Sequence, residues 1–250
     1  MFFFLPIGDI SPRRHPPYVN YLLIVTNVVV FLLVGLRPDY DAIVTAYGVT
    51  PAHPQWFAFL TSMFLHGDFL HLGGNMLFLW IVGDNVEDVL GHLGYLAFYL
   101  LGGILAEVPQ VLLFTASTVP GIGASGAISA VMAAYALWFP RNRIKVWYVV
   151  FFFLFLRSGV VLVPAVFAIG LWFAEQLLYG FLVLEQPLRG GVGYWVHVGG
   201  FLFGLVVALV VRLALSERIP RLDHTVSVAG RHYFLPHRRT WQDEWGERRW

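Results

Sequence analysis

From Val19 to Leu36 the chain carries no charged residue, and a helix needs roughly 20 mostly apolar residues to cross the hydrocarbon core of a bilayer. A segment in lipid must satisfy its own backbone hydrogen bonds, which confines such stretches to helices or closed barrels. Comparable stretches follow at Phe69–Val82, Tyr95–Phe114, Ala124–Phe139, Val160–Val183 and Tyr194–Leu213, the third interrupted by Glu107 and Pro109. Of 250 residues, 58% are hydrophobic and only 12% charged, whereas a soluble domain carries about a quarter charged residues. Lipid is therefore expected to cover part of the surface. The short gaps between apolar stretches favour one bundle, so the fold class is read as an all-α membrane protein of six spans.

The connection from Arg37 to Asp68 is long and weakly charged. Pro51, Pro54, Trp56, Phe57 and Phe59 suit a position partly in the membrane interface. Val146–Leu156 is strongly apolar but lies between Lys145 and Arg157 and is too short to cross. Its β-branched and aromatic residues predict an interfacial or re-entrant piece. The expected organisation is a segment 1–18, a six-span domain 19–213 and a tail 214–250. An even number of spans puts both tails on one side, together with Arg13, Arg14, Arg141, Arg143, Lys145, Arg218 and Arg221. The opposite loops hold only Arg37 and Arg189. Basic loops stay inside, so both termini are expected in the cytoplasm, and the starts of the second, fourth and sixth spans face outward.

The formal charge of +1 and the lack of a basic face argue against nucleic acid as a partner. With no Cys, thiol catalysis, disulfides and thiolate metal sites are removed. H-E-x-x-H is absent, so metalloprotease chemistry is not expected, although His66, Asp68 and His71 could bind a metal on composition alone. The apolar start Met1–Pro6 is too short for a signal-peptide core. The first span is expected to direct insertion, into a prokaryotic plasma membrane. No internal repeat supports a transporter.

Polar side chains inside spans are costly and mark sites or helix contacts. His71 and Asn75 are four apart, on one face of the second span. Gly121-Ile122-Gly123-Ala124-Ser125-Gly126 is a glycine-rich lead-in that places the Ser125 hydroxyl at a helix start, where unpaired N–H groups and the dipole favour an anion. In the sixth span His197, Gly200 and Gly204 share a face, and Gly126, Ala130 and Ala134 offer a small face on the fourth. Packing those faces brings His197 beside Ser125, the arrangement an activated serine requires. Asn75 and His71 lie at the same depth as candidate oxyanion donors. A soluble hydrolase elbow fits poorly, since G-x-S-x-G is required and glycine directly follows Ser125 here.

His66-Gly67-Asp68-Phe69-Leu70-His71-Leu72-Gly73-Gly74-Asn75-Met76, Gly123-Ala124-Ser125-Gly126 and His197-Val198-Gly199-Gly200-Phe201-Leu202-Phe203-Gly204 together resemble the rhomboid family of intramembrane proteases, prokaryotic type, over about Gln55–Leu213. The resemblance implies a Ser125–His197 dyad with no essential third acid and no metal or organic cofactor. It also implies an oxyanion site from Asn75, His71 and the Ser125 backbone, with His66, Gly123, Gly126, Gly200 and Gly204 as structural support. Substrates are implied to be single-span membrane proteins cut near a small residue where the helix is weak, and the first outer loop and the fifth helix are implied as gates. Departures are Val196 before the histidine, Phe57 after Trp56, and Ser129 where some members place an aromatic supporting the histidine ring. Glu107 and Glu175 are read as structural contacts or carboxyls with a shifted pKa, rather than as catalytic groups. A non-proteolytic relative acting as a membrane chaperone would share the fold but lack a dyad residue; both are present.

Overall fold

The computed structural model describes residues 2–11, 14–152, 155–184, 192–215, 219, 224–228 and 231–235. The expectations attached to Arg13, Arg189, Arg218, Arg221 and most of the tail lie outside them. The helices are α1 (Tyr18–Val30, continued by a wider turn over Phe31–Gly35), α2 (Tyr40–Tyr47), α3 (Ala58–Thr61), α4 (Phe69–Leu90), α5 (His92–Leu113), α6 (Ser125–Trp138), α7 (Ala165–Val183) and α8 (Tyr194–Ala214). Among the described residues, 4 helices are long and apolar enough to cross a membrane: Tyr18–Gly35, α5, α7 and α8. At 14 residues α6 is shorter than a bilayer core requires. It is buried at every position from Gly126 to Tyr135 and so is wrapped by other helices rather than lipid.

The second apolar stretch does not end at Val82 but continues as helix to Leu90. The extra turns carry Asp84, Glu87 and Asp88, and two of these acids tie the ends of helices together. Glu87 accepts from the backbone N–H groups of Val19 (3.0 Å) and Asn20 (2.8 Å), and pairs with His92 Nδ1 (2.5 Å). It thereby satisfies donors at the start of α1 that no local side chain caps. Asp88 receives Arg14 Nε at 2.8 Å. At Gly91 the chain turns into α5 with φ +74, a conformation that favours glycine.

The packing of α6 on α8, α5 and α4 sets the bundle. It depends on missing side chains. A Cβ on Gly200 would collide with the Gly126 carbonyl oxygen, and one on Gly204 with the Ala130 backbone. A Cβ on Gly126 would come within 2.7 Å of Ala106 Cβ, which brings α5 to the same crossing. At the far end Trp138 Nε1 donates to Ala208 O (2.9 Å), closing α6 against α8.

The all-α reading needs correction. Strands β1 (Phe2–Asp9), β2 (Arg143–Phe152) and β3 (Phe155–Pro164) form an antiparallel sheet in the order β1-β2-β3. The described residues of Val146–Leu156 are therefore strand, the end of β2 and the start of β3, and the helix of the fifth apolar stretch, α7, begins at Ala165 rather than Val160. The physical reason lies in the residues: Val146, Val149, Val150, Val160, Val161 and Val163, with Trp147, Tyr148 and Phe151, fit a pleated surface better than a helix. Pairing with β1 gives β2 partners on both sides, from Phe2↔Val150 to Asp9↔Ile144. The sheet is pinned under the bundle by Asp9, whose carboxylate accepts from Tyr135 Oη (2.6 Å) and Asn85 Nδ2 (3.3 Å). A separate hairpin pairs β4 (His224–Val228) with β5 (Arg231–Leu235).

Candidate active site

Ser125 is the first residue of α6, and His197 lies in the first turn of α8. Because glycines let these helices meet at backbone contact, Ser125 Oγ stands 2.8 Å from His197 Nε2. The other ring nitrogen, Nδ1, is 2.7 Å from Gln176 Oε1 on α7. The Gln176 amide nitrogen donates to Trp172 O (3.4 Å), which turns the amide oxygen towards the histidine. An oxygen can only accept, so Nδ1 carries the proton and Nε2 presents its lone pair to the serine hydroxyl. The Trp172 ring lies 5.6 Å from the His197 ring at 39°. The ring support that Ser129 cannot provide thus comes from a different helix. Ser129 instead donates to the Ser125 carbonyl within α6 (2.7 Å).

Gln176 was missed in the sequence, where Glu175 drew notice as the charged neighbour. Glu175 is exposed, while Ala165, Ile169, Gln176 and Gly180 are the buried residues of α7 and fall on one face. A polar residue on the apolar-contact face was the available signal.

The second cluster surrounds Gly123. This residue has φ +124, and a Cβ on it would fall 2.7 Å from His71 Nε2 and 3.7 Å from Asn75 Nδ2. Both features demand glycine. Its N–H donates to Ser62 O (2.9 Å), which fixes the loop before the serine. Asp68 caps α4 by accepting from His71 N–H (2.8 Å). His71 Nδ1 faces the Gly67 N–H at 3.5 Å, leaving Nε2 as the protonated nitrogen beside Gly123. Asn75 Nδ2 is buried and has no partner. The first intrahelical bond of α6 runs from Ile128 N–H to Ala124 O (3.0 Å), so the backbone N–H groups at Ser125 precede the ladder and stay available. Three kinds of donor therefore gather around Gly123 and the start of α6: an amide, an imidazole and the backbone N–H groups of a helix start, whose dipole adds to their field.

His66 sits behind this cluster, fully buried, with its ring 5.1 Å from His71. Burial, with His71 beside it, lowers its pKa to about 4, so the ring is neutral and its Nε2 accepts from Ala124 N–H (3.5 Å). The front of the site is a cavity of about 260 Å³, lined by Ser125, His71, Gly123, Glu107, Gln110 and Val49 among others. Glu107 is 4% exposed and its Oε2 has no hydrogen-bond partner. Among the described residues no group of His, Asp and Glu is arranged to hold a metal ion.

These features define a multi-pass membrane protein whose half-buried serine and buried histidine meet between facing helices. The sequence model of the Rhomboid domain matches residues 53–214. The chain belongs to the rhomboid family. It is 26% identical over 228 residues to Rhomboid protein 1, mitochondrial, of Saccharomyces cerevisiae, across 88% of this chain and 60% of the yeast protein. It is 29% identical over 204 residues to Rhomboid protease GluP of Bacillus subtilis, across 79% of this chain and 35% of the relative. Rhomboid-type serine protease 2 of Emericella nidulans is 30% identical over 177 residues, across 68% and 30% respectively. The chain thus spans between 30% and 60% of the length of these relatives.

Proposed function

We propose that this chain is an intramembrane serine endopeptidase that cleaves membrane proteins, single-span ones in particular, within or near their transmembrane segment. The observation that carries the reading is the 2.8 Å contact between Ser125 Oγ and His197 Nε2, made across two helices. His197 takes the serine proton as Oγ attacks the scissile carbonyl. The oxyanion that forms is held by Asn75 Nδ2, His71 Nε2–H and the Ser125 N–H, donors already in place before the reaction. His197 then protonates the leaving amine, and water released into the cavity hydrolyses the acyl-enzyme. Gln176 keeps the histidine in the tautomer that can accept.

In this reading the chain has six spans, formed by α1, α4, α5, α6, α7 and α8, and both termini lie in the cytoplasm. Arg14, Arg143 and Lys145 gather near the ends of α4 and α6 that lie away from Ser125, which supports this orientation by the positive-inside bias. No observation favours the chaperone alternative, since neither dyad residue is missing.

The test is cleavage of a tagged single-span substrate in liposomes by wild type, Ser125→Ala and His197→Ala. Loss of cleavage in both folded variants supports the dyad; cleavage surviving in Ser125→Ala removes it. Cysteines placed beside Gly123 should react with a membrane-impermeant reagent from the outside only, and labelling from the cytoplasmic side would overturn the orientation.

A further inference from the structure

Glu107 has no part in the mechanism above, yet it lines the same cavity as the nucleophile. The residue is 4% exposed, and Oε2 has no hydrogen-bond partner. Its position is fixed from both sides. Ala106 before it is locked into the α5–α6–α8 crossing against Gly126 and Gly200. Across from it, Oε2 lies 3.7 Å from where a Gly121 Cβ would stand, and Gly121 is held by two backbone bonds to Val49 (3.0 and 2.8 Å). A buried carboxylate without a partner is costly, and a cationic partner entering through the cavity would offset that cost.

The rest of the lining says what that partner is. Among the described lining residues there is no Lys or Arg, so the acid meets no built-in cation. Val49, Pro51, Pro120 and Val196 give the cavity apolar walls. Apolar walls leading to one acid match a side chain with a hydrocarbon stem and a cationic head, which buries the first and pairs the second. Resting on the protease reading, we propose that Glu107 forms an acidic subsite beside Ser125 that selects substrates carrying a Lys or Arg side chain close to the scissile bond.

The experiment uses a single-span substrate in which each residue flanking the cleavage site is changed in turn to Lys and to Met, which matches it in length without the charge. At one position wild type should cut the Lys form roughly 10-fold faster than the Met form, the size expected of a charge-assisted hydrogen bond. In Glu107→Gln that ratio should fall towards one. Each ratio is taken within one protein, so a smaller folded fraction cancels. The subsite is overturned if no position favours Lys in wild type, or if the preference survives in Glu107→Gln. Should wild type cut none of these substrates, fluorescent Lys and Met peptides are titrated against the detergent-solubilised protein. Tighter Lys binding that Glu107→Gln abolishes upholds the subsite while the protease reading falls; equal binding overturns the subsite too.

Discussion

His197 is held from both sides, its Nε2 2.8 Å from Ser125 Oγ and its Nδ1 2.7 Å from Gln176 Oε1. The group behind the histidine is thus a neutral amide. A carboxylate in that place both orients the ring and stabilises the imidazolium; an amide does the first without a full charge for the second, and brings no second ion into the membrane interior.

Removing that amide leaves a buried N–H without an acceptor. Gln176→Leu is expected to lower kcat by about 10–100-fold, from the cost of an unsatisfied buried donor and loss of the productive tautomer. Gln176→Glu, which keeps an acceptor oxygen, should recover most of the rate. Equal rates in Gln176→Leu and wild type would show that the ring needs no such support.

Asn75 Nδ2 is buried without a partner in the resting site, as a donor reserved for a charge that develops later would be. Asn75→Ala should lower kcat by about 10²–10³ while leaving some turnover, with KM little changed. Wild-type kcat in this variant would take Asn75 out of the oxyanion site.

At Gly204 a new Cβ would run into the backbone of Ala130, whereas at Gly73 nothing lies within 4 Å. Gly204→Ala should therefore destabilise the protein by about 1–3 kcal/mol through overpacking, while Gly73→Ala should leave it unchanged or slightly firmer. Thermal unfolding in one detergent compares the two, and matching midpoints would contradict the packing described.

Burial raises the Asp9 pKa from 3.8 to about 7. Between those values the native state holds a proton that the unfolded chain has released, so this group costs more stability as pH rises from about 4 to about 7. Asp9→Asn removes the titration and can still accept from Tyr135. The variant should gain on wild type as pH rises, with the larger difference in midpoint at about pH 8 than at about pH 4.5. His66 titrates with the opposite slope in both proteins, which is why the difference between them is the readout. A constant difference would rule out Asp9 as the source.

The apolar runs made the helices legible, because lipid and backbone together leave few other solutions. The glycines at 126, 200 and 204 made the crossing of α6 and α8 legible, because close approach leaves a mark in residue size. The sheet was hidden for the converse reason. Val146–Leu156 is apolar throughout, so no alternation betrays a strand, and its edge partner β1 lies more than a hundred residues away. Gln176 was hidden by a neighbour with a stronger signal, Glu175. Asp84, Glu87 and Asp88 lie beyond the apolar stretch that ends at Val82, and only the fold reveals that Glu87 closes the start of α1.

The outer loops and α7 differ in how they are fastened. Val49 and Gly121 exchange two hydrogen bonds, Ala52 N–H reaches Ser117 O (2.9 Å) and Gly123 N–H reaches Ser62 O (2.9 Å), so the first outer loop is stitched to the segment that carries the serine. Few residues of α7 are buried, and beyond the sheet it leans chiefly on α8 and α6. Gln176 thus reaches His197 from a helix with few buried residues of its own. Any displacement of α7 would therefore be felt at His197 Nδ1, 2.7 Å from that amide oxygen.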